Sequence, residues 1–235
     1  MATVILVRHA RSTANVSGVL AGRTPGVELD ETGREQAVRT GTRLAPVPLV
    51  RVVSSPLVRC RQTAQAILDH QREALDIEVD DGLTECDYGD WQDRALSELA
   101  DEDLWRVVQN QPSAAVFPGG ESLAAMQARA VAAIRRHDAA VEAAHGPDAV
   151  WVAVSHGDLI KSILADALGT HLDMFQRIQV HPASASIVRY TTARPHVVAT
   201  NTDGGDLSWL GAQSATSSTE EVGGGAGPAA AADGS

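Results

Sequence analysis

Arg8, His9 and Arg11 stand directly after four apolar residues, Val4-Ile5-Leu6-Val7, with Ser12 and Asn15 close behind. Three further stretches carry groups of complementary chemistry. Arg59 and Arg61 lie in "SSPLVRCRQTA" (54–64), Glu85 in "LTECDYGDW" (83–91), and His156 and Gly157 in "VSHGD" (154–158). Guanidinium groups bind oxyanions through planar forks of N–H donors, imidazoles attack or donate protons, and a carboxyl group relays a proton. Taken singly, each residue has an ordinary explanation. Arg59 and Arg61 fit a solvated helix face, Glu85 a loop, and His156 a helix start. Their joint value depends on whether the fold brings them to one place.

Val4–Val7, Val50–Ser54 and Ala149–Ser155 are short, β-branched apolar runs of the kind that fill the middle of parallel sheets. Each is followed by polar residues and a helix signal. Ser55-Pro56 predicts an N-cap and a Pro at N1 for a helix reaching about His70. Asp30, Glu31 and Thr32 open another helix, with Val38, Gly41 and Leu44 on one stripe. A long helix is predicted from about Glu121 to Ala144, and one from His156 through Leu168. Residues 186–190 and 196–200 predict a terminal hairpin. Between Glu85 and Gly119, Leu96, Leu99, Leu104, Trp105 and Val108 predict one or two short amphipathic helices. The alternation implies an α/β three-layer sandwich, a mostly parallel central sheet flanked by helices. In such sheets ligands collect outside the carboxyl ends of the strands, so Arg8-His9, Ser54-Ser55 and Ser155-His156 are expected to line one crevice. Residues 1–212 are expected to form the catalytic domain; residues 213–235 are rich in Ser, Gly and Ala without periodicity and are expected to be a disordered tail.

In chain order, Arg-His, Ser-Ser-Pro-Leu-x-Arg, Leu-x-Glu-x-x-x-Gly-x-Trp and Ser-His-Gly resemble the histidine phosphatase superfamily, the phosphoglycerate mutase-like fold. "LDETGREQA" (29–37) and "FPGGES" (117–122) are also similar to that family, and the resemblance runs from about Thr3 to Asp203. It implies a phosphomonoester hydrolase working through a phosphohistidine. His9 is then the nucleophile, Glu85 the general acid, and His156 a second histidine that donates to a phosphoryl oxygen. Arg8 and Arg59 hold the phosphoryl group, whose three equatorial oxygens carry the charge. Ser12, Asn15, Gly157 and Arg11 are further candidate phosphate or substrate contacts. His9 must be neutral to attack, and neighbouring guanidinium charge favours that state. With arginines carrying the neutralising charge, and no carboxylate cluster in the sequence to hold Mg²⁺, no metal or other cofactor is expected.

The chain departs from the family pattern in places. Ala10 stands where Gly is usual, which predicts an ordinary φ there. Arg11 replaces Glu or Gln, Ser12 replaces Thr, and Gln92-Asp93 follows Trp91 in place of Glu-Gly or Thr-Gly. Arg11 allows two readings, a contact to a doubly anionic substrate or a solvated side chain. A phosphomutase remains an alternative, because the same groups serve both reactions and the fate of the phosphoenzyme decides. A non-catalytic phosphate-binding protein on the same fold is another.

The formal net charge of −11 argues against a nucleic-acid partner, so any anion site is a local arginine cluster. The apolar run ending at Arg8 is too short for a signal peptide or a spanning helix, so no membrane partner and a cytoplasmic location are expected. Two cysteines, Cys60 and Cys86, read as reduced, semi-buried thiols. A small phosphorylated molecule is the expected partner, to a monomer or homodimer.

Overall fold

The computed structural model describes residues 2–204; the expected tail at 213–235 lies outside the described residues. Among the described residues, six strands form one sheet in the order β3-β2-β4-β1-β5-β6. They are β1 (Thr3–Arg8), β2 (Leu49–Ser54), β3 (Ile77–Val79), β4 (Val150–Ser155), β5 (Ala185–Arg189) and β6 (His196–Thr202). β1, β2, β3 and β4 run parallel, and β5 and β6 close the sheet as the expected antiparallel hairpin. β3 was not predicted; three residues are too few to show periodicity.

Alternation along β1 divides the core. Val4 and Leu6 point to one face, where they meet α6 (Leu123–His145) and α7 (Gly157–Ala167) through residues such as Ile134 and Ile163. Ile5 and Val7 point to the other, against α2 (Glu31–Leu44) and α3 (Val58–Leu68), whose Leu44, Ala64 and Ile67 are fully buried. Both faces are covered, which is why the central strands read as continuous apolar runs. The remaining helices are α1 (Thr13–Ser17), α4 (Leu96–Leu99) and α5 (Asp103–Asn110); the last two are the expected short pair.

Two local expectations are corrected. In α2, Val38 is exposed, and the buried stripe is Gly33, Ala37, Thr40, Gly41 and Leu44. Close packing decides this face: Gly41 has no room for a Cβ against the Ala66 carbonyl of α3, and the Thr40 hydroxyl donates to the Ala183 carbonyl at 2.8 Å. Secondly, α3 begins at Val58 and Leu57 holds the N-cap position, so Ser55-Pro56 lie outside the helix. The Ser55 hydroxyl has another partner, His156.

Because β2, β4 and β1 are neighbours running the same way, their carboxyl ends lie side by side. Arg8 is in register with Ser155, and the ladder runs one residue further: the His9 N–H donates to the Ser155 carbonyl at 2.8 Å, and the Ser55 N–H to that of Val154 at 3.0 Å. Ala10 is fully buried with no left-handed φ, as expected, and its N–H donates to Thr63 Oγ1 of α3 at 3.1 Å. Thr63→Val leaves that buried N–H unpaired, and urea unfolding should show a loss of about 1–3 kcal/mol. A change within about 0.3 kcal/mol would mean that the bond does not hold the β1 turn to α3.

Candidate active site

His9 leaves the end of β1 only 4% exposed. Its Nδ1 lies 2.8 Å from the Ala10 carbonyl, which accepts Nδ1–H and leaves Nε2 with the lone pair. His156, at the end of β4, is completely buried, and its ring centroid is 5.2 Å from that of His9, with the planes at 62°. Its two nitrogens are differently placed. Nδ1 is 3.3 Å from Arg59 Nη2, which can only donate; Nε2 is 2.8 Å from Ser55 Oγ. That pattern makes Nδ1 the acceptor and gives Nε2–H to the serine. Burial holds both imidazoles well below the usual pKa of 6.5. The Arg59 and Arg8 charges add to this for His9, and Arg59, His9 and Arg8 for His156. The Ala10 carbonyl pulls His9 modestly the other way.

Arg59, 2% exposed, is anchored by a 2.7 Å bond from Nη2 to the Gly22 carbonyl. Arg8 donates from Nη1 to the Val180 carbonyl at 2.7 Å, while its buried Nε has no partner. Its guanidinium packs against Gly157, where a Cβ would stand 3.3 Å from Cζ.

Glu85 is 9% exposed, and its Oε2 lies 3.8 Å from His156 Nδ1. Burial and then the negative charge of Asp158 push its carboxyl up to about 7, against the opposing pull of the Cys86 N–H, Arg59 and Arg8. Its carbonyl accepts from Arg23 Nε at 2.9 Å and Arg129 Nη2 at 3.1 Å, and Glu121 Oε1 pairs with both guanidiniums at 2.9 and 2.6 Å. Glu121 is the acidic residue of "FPGGES", so that motif anchors the loop carrying Glu85.

Arg8, His9, Arg59, Glu85 and Gly157 line one cavity of about 200 Å³, as do Ser12 and Asn15. The last two are largely engaged with each other, since the Ser12 N–H and O–H both donate to Asn15 Oδ1 at 3.0 Å. This leaves the Asn15 NH₂ as the donor they can offer. Arg11 does not line the cavity. Asp30 Oδ2 holds its Nε at 2.7 Å and its side chain is 40% exposed, which favours the solvated of its two readings. Both cysteines are fully buried rather than semi-buried, and Cys60 Sγ lies 3.4 Å from His156 Nε2. Burial pushes the Cys60 thiol up to about 12, so it stays protonated.

Sequence reasoning brought Ser55 to the crevice without its bond to His156, and missed Arg23, Tyr88, Asp158 and Lys161. Asp158 and Lys161 had a signal, because they sit one helical step apart just after His156. Arg23, alone among small residues, had none.

The profile of the histidine phosphatase superfamily (branch 1) matches residues 4–203. The chain belongs to this superfamily. Phosphoserine phosphatase 1 of Hydrogenobacter thermophilus is 30% identical over 204 residues, covering 86% of this chain and 92% of that protein. A Salmonella choleraesuis protein named "Probable phosphoglycerate mutase GpmB" is 29% identical over 192 residues, 81% of this chain and 86% of its own length. Among solved structures, the mycobacterial glucosyl-3-phosphoglycerate phosphatase in complex with VO3 superposes with a TM-score of 0.74 at 26% identity, covering 85% of this chain and 98% of that one. Phosphatases and mutase-like proteins thus share this histidine phosphatase fold, and the family chemistry is phosphoryl transfer.

The two buried imidazoles make stability depend on pH. Unfolded, each takes a proton near pH 6.5; folded, they stay neutral well below it. The unfolded chain therefore binds more protons as pH falls from 7 to 5, and stability is lost. Glu85 acts oppositely, because its folded carboxyl titrates at about 7 against 4.5 unfolded and the native state gains a proton in that interval. The two effects nearly cancel at pH 7, and the histidines prevail as pH falls, reaching an excess of about one proton, or about 1.4 kcal/mol per pH unit, near pH 5. Denaturant titrations should show stability falling from pH 7 to 5, and falling more steeply in Glu85→Gln. A flat or opposite trend would contradict two neutral buried rings.

Proposed function

We propose that the chain hydrolyses phosphomonoesters of small metabolites through a phosphohistidine on His9, with Glu85 as the proton relay. The observation that carries this reading is the edge-to-face approach of His9 and His156, centroids 5.2 Å apart, in a cavity lined by Arg8 and Arg59, with Glu85 Oε2 3.8 Å from His156 Nδ1.

In the first step His9 Nε2 forms a bond to phosphorus and the ester P–O bond breaks. The leaving alkoxide takes the proton of Glu85. The new imidazolium keeps its Nδ1–H on the Ala10 carbonyl, which favours the charged ring. The unpartnered Nε of Arg8, with Arg59, offers donors to the equatorial oxygens. A bound dianion reverses the electrostatics at His156: it favours protonation of Nδ1, which then donates to a phosphoryl oxygen while Nε2–H stays on Ser55. In the second step the Glu85 carboxylate takes a proton from water, the hydroxide attacks phosphorus, and the P–N bond breaks. Inorganic phosphate leaves, with His9 neutral and Glu85 protonated again.

The phosphomutase alternative needs a second anion site over the pocket. The covering segment offers little for one: Arg94 is paired with Glu102 at 2.7 Å, and Leu96 is the residue of α4 and α5 that lines the cavity. This favours hydrolysis. A purely binding role leaves a buried carboxyl at about 7 beside a neutral imidazole without a task. The reading takes residues 1–212 as the catalytic domain, monomeric or homodimeric, in the cytoplasm, where the thiols of Cys60 and Cys86 stay reduced.

Incubation with a ³²P-labelled phosphomonoester and alkaline quench should trap an acid-labile phosphoprotein in the wild type and none in His9→Ala. Label persisting in that variant would remove His9 from the mechanism. Glu85→Gln should slow alkyl phosphates by about 10²-fold or more, and p-nitrophenyl phosphate by less than about tenfold. Equal slowing would place the proton donor elsewhere. For the wild type on alkyl phosphates, kcat/KM should fall above pH about 7 as Glu85 ionises.

A further inference from the structure

Beyond the phosphate clamp, the first two turns of α7 form a wall of the cavity and present Asp158 and Lys161 to it. A helix-surface ion pair three residues apart is an ordinary stabilising device. This pair differs in two ways. The Asp158 and Lys161 side chains are only 25% and 19% exposed, and both line the cavity. They are also loosely joined, with 3.5 Å between Nζ and Oδ1. Their other bonds hold them in place without using them up. Tyr88 O–H donates to Asp158 Oδ2 at 2.8 Å, and Lys161 Nζ donates to Gln176 Oε1 at 3.1 Å while sitting 5.7 Å from the Phe175 ring centroid. Asp158 Oδ1 thus retains its acceptor sites, and an ammonium with three protons retains donors.

Charge balance then limits the ligand. Arg8 and Arg59 match the nearly two negative charges of a phosphomonoester. With Glu85 protonated as the proton donor, what remains in the cavity wall is one cation, Lys161, and one anion, Asp158. A leaving group bearing only a carboxylate would meet Lys161 but be opposed by Asp158; one bearing only an ammonium would meet the reverse. Leu20 and Leu96, also in the lining, suit a short aliphatic stem.

We propose that Asp158 and Lys161 form the leaving-group subsite and select the phosphate ester of a small hydroxy amino acid, Asp158 taking its ammonium and Lys161 its carboxylate. This deepens the hydrolase reading and rests on it.

Four esters of similar size test the proposal: O-phosphoserine, with both charges; 3-phosphoglycerate, with the carboxylate; O-phosphoethanolamine, with the ammonium; and glycerol 3-phosphate, with neither. The wild-type kcat/KM for O-phosphoserine should exceed each of the others by about tenfold or more, the effect of one charged hydrogen bond. Lys161→Gln should erase the advantage over O-phosphoethanolamine, and Asp158→Asn that over 3-phosphoglycerate. Glycerol 3-phosphate turning over as well as O-phosphoserine, or ratios unmoved by either substitution, would overturn the subsite. Hydrolysis of p-nitrophenyl phosphate reports on the chemistry separately. Calorimetric binding of the four esters to His9→Ala reads the same order of preference without turnover. Flat ratios with p-nitrophenyl phosphate still cleaved reject the subsite alone; no cleavage and no phosphohistidine reject the hydrolase.

Discussion

Two imidazoles buried against two guanidiniums are the constraint on which the rest of the structure depends. A cluster of this kind, whose acidic neighbour Glu85 is itself pushed toward protonation, is stable only if the rings stay neutral and the arginines find carbonyl acceptors. Both conditions are met: the rings are held neutral chiefly by burial, and Arg8 and Arg59 lean on the carbonyls of Val180 and Gly22. The site is thereby left short of negative charge, and a phosphate dianion makes good what is missing. Affinity for the ligand and readiness of His9 to attack come from one electrostatic arrangement.

Sheet order makes the arrangement possible. β1 and β2 are far apart in sequence, yet each pairs with β4, so three carboxyl ends share one edge and deliver His9, Ser55 and His156 to neighbouring positions. The proton relay comes from outside the sheet. Glu85 sits on a loop that two arginines grip by its carbonyl, leaving the side chain free to exchange a proton. Separating the anchored backbone from the working carboxyl holds the group in place without lowering its pKa through a direct ion pair.

Much of this was legible in the sequence because buried parallel strands write themselves as short β-branched runs. The polar residues that interrupt them mark the functional edge. Val4–Val7 followed by Arg8-His9, and Ala149–Ser155 followed by His156-Gly157, carried both fold and site. Ser55 was rightly expected at the crevice but also taken for a helix cap, because a serine before a proline looks like one, and only the structure shows His156 opposite it. Adjacency to His9 left Arg11 open to two readings, and its bond to the distant Asp30 favours the solvated one. Val38 followed helical periodicity, but the close contact of Gly41 with α3 turns Ala37 and Thr40 to the buried face in its place. Arg23 and the Glu121 clamp depend on contacts between distant loops, which no local pattern encodes.

The most direct test of the central electrostatic claim is ¹⁵N NMR of the imidazole nitrogens at pH 7, with and without inorganic phosphate. In the free protein the predicted spectrum has both rings neutral, His9 protonated on Nδ1 and His156 on Nε2. Saturation with phosphate should convert His156 to the doubly protonated ring while His9 keeps its Nε2 lone pair. A free protein with either ring already charged, or a His156 signal that phosphate leaves unchanged, would contradict it.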